Sequence, residues 1–264
     1  MRRAITGFSN PTIKAIRALR DKKHRKREGK FLAEGLRLLT DARACGLLPE
    51  TLLMAVDRET HPLLSQLEAD VAAAGGEVLE LPVELLEKVT GKDNPQAVAA
   101  VFAEWPTALA ALDRGNAPLW LVAQALRDPG NLGTMLRTAD AVGAGGLILI
   151  DDCADPFSVE AVRASMGAVF TVALAQARWD EFVAWLRAAE GQLVAASLRD
   201  AVPYRDAAYA APCFLLVGNE SRGLPDAYED ACDLRVTIPM RGRADSLNAA
   251  VAMAVLAYEA LARL

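Results

Sequence analysis

The chain has 264 residues, of which 53% are hydrophobic and 24% charged, and this composition excludes a disordered chain because it supplies ample material for a packed core. The longest charge-free apolar run, at residues 248–258, is shorter than the roughly 20 residues that a membrane span needs, and no secretory signal segment is visible. Four scattered cysteines without a CxxC pair and only two histidines exclude a zinc finger and a histidine-based catalytic triad, and they favour a reducing, cytoplasmic location without a bound metal.

Charge is distributed unevenly along the chain. The formal net charge is -5, yet residues 1–30 contain eleven basic and two acidic residues. This segregation predicts a basic N-terminal arm or helix over residues 1–30 that contacts phosphates while the remaining chain stays acidic. A solvated amphipathic helix is an alternative interpretation. A mitochondrial transit peptide is disfavoured, because such peptides have few lysines and lack acidic residues.

The first half of the chain predicts a small α/β unit. Asn10 followed by Pro11 indicates a helix start, and residues 13–28 then predict one basic helix. A second helix is expected over residues 31–45, with Leu32 on its apolar face and Gly46 as its stop. Further strands and helices alternate, with strands at 51–56, 77–81 and 97–103 and helices at 61–76 and 81–91. We therefore predict a domain over residues 31–105, followed by a linker over 106–118.

The second half predicts a larger α/β domain over residues 119–264. Apolar strands are expected at 119–126, 146–150, 169–174, 193–197, 213–219 and 234–238. Helices are expected at 129–142, 156–164 and 179–191, after Pro225, and at 245–261. Repeated alternation of apolar strands with helices indicates a parallel sheet covered by helices on both faces.

Three loops that follow strands contain residues suited to chemistry. The first, RDPGNLGTMLRTADAVGA at residues 127–144, has Gly130 and Gly133 where a strand leads into a helix. Glycines there permit close backbone approach, and a helix start favours an anion. The loop has neither the Rossmann glycine spacing nor the P-loop ending, which excludes a dinucleotide or ATP site of those kinds.

The second loop is LLVGNESRGLP at residues 215–225, and the third lies within VTIPMRGRADSLNAAVAMAVLAYE at residues 236–259. Pro239 is expected to end a strand, because proline cannot donate to a central ladder. Each loop alone is also compatible with an ordinary strand-to-helix connection, in which Glu220, and Asp245 or Ser246, merely cap helices.

Together and in this order, the three loops resemble the three signature motifs of the SpoU (TrmH-type) RNA 2′-O-ribose methyltransferases, within the SPOUT superfamily. The resemblance covers about residues 119–264. Residues 31–105, from FLAEGLRLL to NPQAVAAV, are similar to the small L30e-like substrate-binding domain of that family. The resemblance implies an α/β fold with a C-terminal trefoil knot.

The resemblance also assigns candidate site residues. It implies S-adenosylmethionine as the cofactor, bound largely by backbone at Gly218, Ile238, Met240 and Leu247. The functional side chains that it implies are Asn131, Arg137, Glu220, Ser246 and Asn248. Ser221 stands where many members of the family have glycine, which is a mild departure.

The implied reaction transfers a methyl group to a ribose 2′-hydroxyl of RNA without a metal, and the L30e-like domain favours ribosomal RNA over tRNA. Arg137 is either the general base or, because a guanidinium has a pKa above about 12, the group that holds a phosphate and stabilises the developing alkoxide. The implied catalytic unit is a homodimer with its active site near the interface. The terminal helix agrees, because a helix that is apolar on nearly every side must be buried on more than one face.

Two other functions remain as alternatives. The first is a noncatalytic RNA-binding protein of the same fold, such as a ribosome assembly factor. The second is a Rossmann-type methyltransferase of small molecules, which is disfavoured by the missing early GxGxG turn and by the basic N-terminal segment.

Overall fold

The computed structural model describes residues 2–56, 61–92, 96–219 and 222–264. Up to residue 105 the elements are β1 (Arg2–Ala4), α1 (Pro11–Ala18), α2 (Lys22–Glu28), β2 (Lys30–Glu34), α3 (Leu36–Ala44), β3 (Thr51–Ala55), α4 (Pro62–Ala73), β4 (Glu77–Leu81), α5 (Val83–Thr90) and β5 (Val98–Ala103). Beyond residue 118 they are β6 (Leu119–Gln124), α6 (Pro129–Ala141), β7 (Leu147–Ile150), α7 (Val159–Ala164), β8 (Leu174–Ala177), α8 (Trp179–Arg187), β9 (Gln192–Ala196), β10 (Val202–Pro203), β11 (Cys213–Val217), α9 (Asp226–Asp230), β12 (Leu234–Thr237) and α10 (Ala249–Arg263). Two short 3-10 turns lie at Leu109–Ala111 and Ala168–Phe170.

These elements form two compact units. The first comprises Met1–Trp105 and Asp155–Thr171, and the second comprises Pro106–Ala154 and Val172–Leu264. The division differs from the predicted domain limits, because Asp155–Thr171 groups with the first unit although it falls within the predicted 119–264 domain.

The first unit is built on a five-stranded mixed sheet in the order β1-β4-β3-β5-β2. β1, β4 and β3 are parallel, whereas β5 is antiparallel to both β3 and β2. α1 and α5 pack against this sheet through Ile13, Ile16, Leu86 and Val89, all of which are buried in one cluster with strand residues. Burial of these apolar side chains is the main source of stability for the unit.

The N-terminal segment is folded into this unit and is not a separate basic arm. β1 pairs with β4, and the single helix predicted over residues 13–28 is divided into α1 and α2. The helix start at Asn10 is confirmed, because its Oδ1 accepts from the backbone N–H of Thr12 at 2.9 Å. The break follows from Asp21, whose side chain accepts from the N–H of Lys23 at 2.7 Å and caps a new helix.

The helix predicted over residues 31–45 is also wrong at its start. Residues 31–33 are fully buried within β2, and the helix begins only at Leu36, after Gly35 with φ 111°. A continuous apolar run suits a strand covered on both faces as well as a helix, so periodicity alone does not separate the two. Leu32 therefore lies in a strand, not on a helical face.

A buried ion pair attaches the segment Asp155–Thr171 to the rest of the first unit. Arg25 Nη2 and Nε lie 2.7 and 3.1 Å from Asp155 Oδ2, and the Arg25 side chain is only 2% exposed. Nη1 of the same guanidinium donates to the carbonyl oxygens of Leu19 and Arg20 at 2.8 Å. Every polar nitrogen of Arg25 thus has a partner, which is the condition under which a buried charge is tolerated.

Further contacts hold the same segment. Arg163 Nη2 donates to Glu34 Oε2 at 2.9 Å, and the rings of Phe31 and Phe157 lie 5.0 Å apart.

The strand predicted over residues 169–174 is wrong, since a 3-10 turn occupies Ala168–Phe170 and β8 begins at Leu174.

The second unit contains a seven-stranded, all-parallel sheet in the order β10-β12-β9-β11-β6-β7-β8. Successive strand residues point to opposite faces. Trp120, Phe214 and Leu216 pack on one face with Phe182 and Leu186 of α8, while α6 and α10 contact strands on the same sheet. The predicted parallel α/β fold is therefore confirmed, whereas the two-residue strand β10 is not anticipated by the sequence.

The last helix begins later than predicted. α10 starts at Ala249, and Asn248 caps it by accepting from the N–H groups of Ala250 and Val251 at 3.0 and 3.3 Å. Asp245 and Ser246 are therefore not its caps.

The trefoil knot stays a prediction. Of the helices that the structure describes, none is long and apolar enough to cross a membrane.

We predict that Asp155→Ala strongly destabilises the first unit. Removal of the carboxylate leaves the Arg25 guanidinium buried without its counter-charge, which costs about 3–5 kcal/mol in free energy of unfolding. Urea unfolding of the full chain can be followed by tryptophan fluorescence. Trp105, whose ring lies 4.9 Å from Phe157, reports on the first unit, and the other three tryptophans report on the second. The control, Asp152→Ala, breaks an exposed pair with Arg127 and should change stability by less than about 1 kcal/mol. Equal losses in the two variants would contradict the prediction.

Candidate functional site

The candidate site is a cleft at one edge of the parallel sheet in the second unit. β9, β11 and β12 are neighbours and all parallel, so their carboxyl ends lie together. A cleft of about 470 Å³ opens there, within the size range of small-molecule pockets. Its walls come from the segments that follow these three strands, from α9 and from the first two turns of α10.

The cleft brings together five of the nine residues that the sequence singled out. Gly218, Ile238, Met240 and Leu247, the four candidate cofactor positions, all line it, and Ser246 lines it too. These residues come from the second and third loops, which are separated by about twenty residues in the chain and meet only because their strands end at the same edge.

In the second loop, Gly218 stands directly after β11 at a position where the backbone of the following turn approaches too closely for a side chain. A Cβ on Gly218 would lie 2.6–2.7 Å from the carbonyl group of Gly223 and the nitrogen of Leu224. Gly223, with φ 66°, donates its N–H to the carbonyl of Asn219 at 2.9 Å and closes the turn. The loop therefore folds tightly back on itself and leaves backbone, not side chain, facing the cleft at Gly218.

Two asparagine side chains connect the three loops. Asn219 Nδ2 donates to the carbonyl of Ala125, at the end of β6, at 2.9 Å. Asn248 Nδ2 donates to Asn131 Oδ1 at 3.0 Å, which joins the third loop to the first. Asn131 is itself positioned at the start of α6, because Asp128 Oδ1 accepts its backbone N–H at 2.6 Å. The predicted residues Asn131 and Asn248 are thus in direct contact.

Arg137 stands apart from this arrangement. It lies on the exposed face of α6, about 9 Å along the helix axis from Asn131. Within the part of the chain that the structure describes, its guanidinium makes no hydrogen bond or ion pair, and it does not line the cleft of its own chain. Glu220 and Ser221 lie outside the described residues.

Sequence reasoning missed one wall of the cleft. Ser197, Leu198 and Arg199, which follow β9, line it, and Leu198 is 82% exposed at its rim. Arg199 forms ion pairs with Glu229 and Asp230, so the cleft also has a charged side. The available signal was the position of these residues at the carboxyl end of a predicted parallel strand, where ligands bind in open α/β sheets.

A second concavity on the same unit has the wrong chemistry for a polyanion. It measures about 830 Å³ and contains four carboxylates, from Asp151, Asp152, Asp180 and Glu181. Tyr228 also lines it, and burial together with the bond to Asp151 raises the pKa of Tyr228 to about 12, so the phenol stays neutral. None of the predicted site residues lies there.

Neither concavity contains an evident metal site. Among the residues for which coordinates are described, no group of three or more His, Cys, Asp or Glu side chains stands close enough to hold a metal ion. The four cysteines are free. Burial raises the pKa of Cys153 to about 11, and its sulfur accepts the N–H of Leu126 at 3.3 Å, so this thiol is structural rather than nucleophilic.

Comparison with known proteins gives a consistent result. Residues 118–258 match the model of the SpoU rRNA Methylase family, and residues 10–100 match the MRM3-like substrate binding domain. The 23S rRNA (guanosine(2553)-2′-O)-methyltransferase of Bacillus subtilis is 33% identical over 96% of this chain and 97% of that protein. The 23S rRNA (uridine(2479)-2′-O)-methyltransferase of Streptomyces viridochromogenes is 33% identical over 92% of this chain and 86% of that protein.

A solved structure of an AdoMet-bound rRNA methyltransferase from Sinorhizobium meliloti is 41% identical, with a TM-score of 0.93 over 100% of this chain and 98% of that one. The AviRb methyltransferase of Streptomyces viridochromogenes, also solved with AdoMet, is 30% identical, with a TM-score of 0.88 over 96% and 98% of the two chains. The family and the cofactor that the three loops predict are thereby confirmed. This chain belongs to the SpoU rRNA methylase family, whose cofactor is S-adenosylmethionine.

Proposed function

We propose that this protein transfers the methyl group of S-adenosylmethionine to the 2′-hydroxyl of a ribose in ribosomal RNA. The observation that carries the proposal is the cleft in which the loops after β11 and β12 bring Gly218, Ile238, Met240 and Leu247 together. Relatives named for 2′-O-methylation of 23S rRNA, which align with nearly the whole chain, support the choice of substrate. A ribosomal RNA substrate suits a cytoplasmic location, and so do the four free cysteines, because thiols stay reduced there.

The cleft fits the cofactor by shape and by chemistry. Ile238, Met240 and Leu247 supply apolar surface for a purine ring, and the absence of a side chain at Gly218 allows the turn that forms the adjoining wall to close. Arg199 and Glu229, which are paired with each other, form a polar side of the cleft that offers hydrogen-bond donors and acceptors to the amino-acid group of the cofactor. When bound, the cofactor supplies the methyl group as an activated sulfonium.

The side chains of this protein then have to orient the ribose and take up its proton. As the hydroxyl oxygen bonds to the methyl carbon, the O–H bond breaks and the proton needs an acceptor. A guanidinium is a poor acceptor because its pKa is above about 12, so we assign Arg137 to the phosphate and to the developing alkoxide. Glu220 is the carboxylate of the motifs that can take the proton, and the bonded pair Asn131–Asn248 positions the ribose.

We further propose that the active unit is a homodimer. α10 buries one stripe, which includes Met253 and Leu256, and exposes a second apolar stripe formed by Val251, Tyr258 and Leu261. α6, which presents Arg137, contacts α10. A second copy seated on this surface would cover the exposed stripe and bring Arg137 to the cleft of its partner, which accounts for its distance from the cleft of its own chain.

The proposed function is tested by incubating the full chain with S-adenosylmethionine bearing a labelled methyl group and with protein-free 23S rRNA or bulk tRNA. Digestion to nucleosides should yield a labelled 2′-O-methylnucleoside from the ribosomal RNA. Label in tRNA alone would overturn the choice of substrate, and binding of RNA without any transfer would favour the noncatalytic alternative.

We predict that Gly218→Ala weakens cofactor binding more than tenfold. The added methyl group would meet the backbone of Gly223 and Leu224, so the turn must open and the adjoining cleft wall must move. Isothermal titration with S-adenosylmethionine measures the loss, which should exceed tenfold in affinity. Gly242→Ala, in the third loop, is the control, because its Cβ would meet nothing within 4 Å. Normal binding by Gly218→Ala would show that the turn does not form the cofactor wall.

We predict that Arg137→Ala lowers the single-turnover rate of methyl transfer at least about a hundredfold, the typical cost of losing one group that stabilises developing negative charge. Affinity for S-adenosylmethionine should stay unchanged, since Arg137 does not line the cleft. Arg137→Lys should also be slow, because an ammonium cannot reproduce the planar fork. Arg178→Ala removes another exposed guanidinium from the same unit and should retain the rate. A near wild-type rate for Arg137→Ala would remove Arg137 from the mechanism.

We predict that Tyr258→Asp converts a dimer to a monomer in light scattering and lowers methyl transfer in parallel. The tyrosine is 58% exposed in the apolar stripe of α10, and a buried unpaired carboxylate at an interface opposes association. Leu63→Asp, at an exposed apolar position of α4, should remain a dimer. A wild-type chain that is monomeric and fully active at micromolar concentration would refute the dimer.

A further inference from the structure

The eleven basic residues of the N-terminal segment fall into two groups. Six of them form ion pairs with carboxylates: Arg2, Arg3, Arg25, Lys26, Arg27 and Lys30. Five others, Lys14, Arg17, Arg20, Lys22 and Lys23, make no ion pair with any residue that the structure describes. The local excess of positive charge therefore resides in the second group, on α1 and around the turn into α2.

Part of this second group lines a cleft of about 700 Å³ within the first unit. Arg17, Arg20 and His24 form one wall, and Lys88 and Lys92, near the end of α5, form the other. Lys92 is 3.5 Å from a carboxylate oxygen of Glu34, whereas Arg17, Arg20 and Lys88 have no acidic partner among the described residues. Two carboxylates, Asp21 and Glu87, also line the cleft, and Asp21 is engaged as the cap of α2.

Arg20 packs against Gly91, whose missing side chain leaves room for the guanidinium in this cleft. A Cβ on Gly91 would collide with Cζ of Arg20, so the guanidinium packs directly against the glycine backbone. Gly91 adopts φ 73° and ends α5 in the left-handed conformation, which favours glycine at the same position for a second reason. Since α1 and α5 share the core cluster of the unit, the two walls of the cleft have a fixed spacing.

His24 lies beside Arg17 and Arg20 in the same wall of the cleft. Its Nδ1 atom is buried and has no hydrogen-bond partner among the described residues. Because solvent does not reach this atom, an incoming phosphate does not reach it either. The charge that this cleft offers to a ligand therefore comes from the cations of its two walls.

We propose that this cleft binds the sugar-phosphate backbone of the RNA substrate, with Arg17, Arg20 and Lys88 as its phosphate contacts. The proposal rests on the proposed function. Guanidinium groups bind phosphate oxygens through paired N–H donors, and uncommitted cations release counterions when they do so. Both walls fall within residues 10–100, the range that matches a substrate-binding domain, although that match assigns no residue to the contact.

The test compares two variants that remove three charges each from the full chain. Arg17→Gln, Arg20→Gln and Lys88→Gln are combined in the first. The second combines Arg2→Gln, Arg27→Gln and Lys30→Gln, which are exposed cations of the same unit that already have carboxylate partners. Filter binding of a protein-free 23S rRNA transcript over a series of KCl concentrations gives affinity and salt slope for each variant.

The first variant should lose roughly tenfold or more in RNA affinity, and its salt slope should flatten by about 2, because each phosphate contact accounts for about 0.7–0.9 of slope. The control variant should change affinity less than about threefold and leave the slope nearly unaltered. S-adenosylmethionine affinity should be unchanged in both, because the cofactor cleft lies in the second unit. An unchanged urea unfolding curve, followed by far-UV circular dichroism, reports that the first unit of each variant is folded. Methyl transfer by the first variant should recover at saturating RNA, as a rise in KM with unchanged kcat.

Equal changes in the two variants would overturn the proposal, because any three charges would then serve as well. An unaltered slope in the first variant would overturn it too, even if the wild-type protein methylates ribosomal RNA, and the proposed function would stand. If instead the wild type transfers no methyl group while the first variant still loses slope and affinity, the proposed function fails and the RNA-binding cleft stands.

Discussion

Parallel pairing of seven strands is the constraint on which the functional part of this protein depends. In a parallel sheet every strand that runs in the same direction ends at the same edge, so the loops that follow β6, β9, β11 and β12 are neighbours in space although they are far apart in sequence. No single loop contains a binding site. The cleft exists because three loop segments meet at one edge, and Gly218 and Leu247 become neighbours for that reason alone.

Hydrogen bonds convert this proximity into fixed geometry. The amide of Asn219 reaches the end of β6, and the amide of Asn248 reaches Asn131 at the start of α6. Asn248 has two duties, since its oxygen caps α10 while its nitrogen bonds Asn131. Replacement by a residue that only caps would keep the helix and release the first loop. A single side chain thus couples the stability of the last helix to the geometry of the site.

Patterns in the sequence predict this half of the molecule well because its signals are local and repeated. The apolar strands are bounded by glycine or proline, and most are followed by an amphipathic helix. Such alternation favours a parallel sheet covered by helices. The residues that line the cleft from the second and third loops could be assigned from motifs. Leu198 and Arg199 could not be assigned in this way, since nothing in their local sequence distinguishes them. Only the sheet order places the end of β9, which they follow, beside the end of β11.

Prediction fails where a distant partner decides the outcome. Leu32 fits a helical stripe, yet pairing with β5 makes its segment a strand. The segment Asp155–Thr171 follows a strand of the second unit in the chain, yet its charged and aromatic partners lie in the first unit. The strand pairing joins Leu32 to Val101, and the contacts of the second example join residues more than a hundred positions apart. No periodicity within either segment encodes them.

Charge is the feature for which the distinction between local pattern and distant partner matters most. A count of basic residues treats Arg25 and Arg17 alike, but Arg25 is buried against Asp155 and supports the fold, whereas Arg17 has no acidic partner among the described residues and faces an open cleft. Deleting the N-terminal segment would remove both kinds of residue, together with β1, which pairs with β4. Weaker RNA binding by such a truncation would follow from unfolding as readily as from lost phosphate contacts. Unfolding and loss of phosphate contacts can be separated only by comparing substitutions of cations that have a carboxylate partner with substitutions of cations that have none. Coulomb attraction to RNA is available only to a cation that no carboxylate already neutralises.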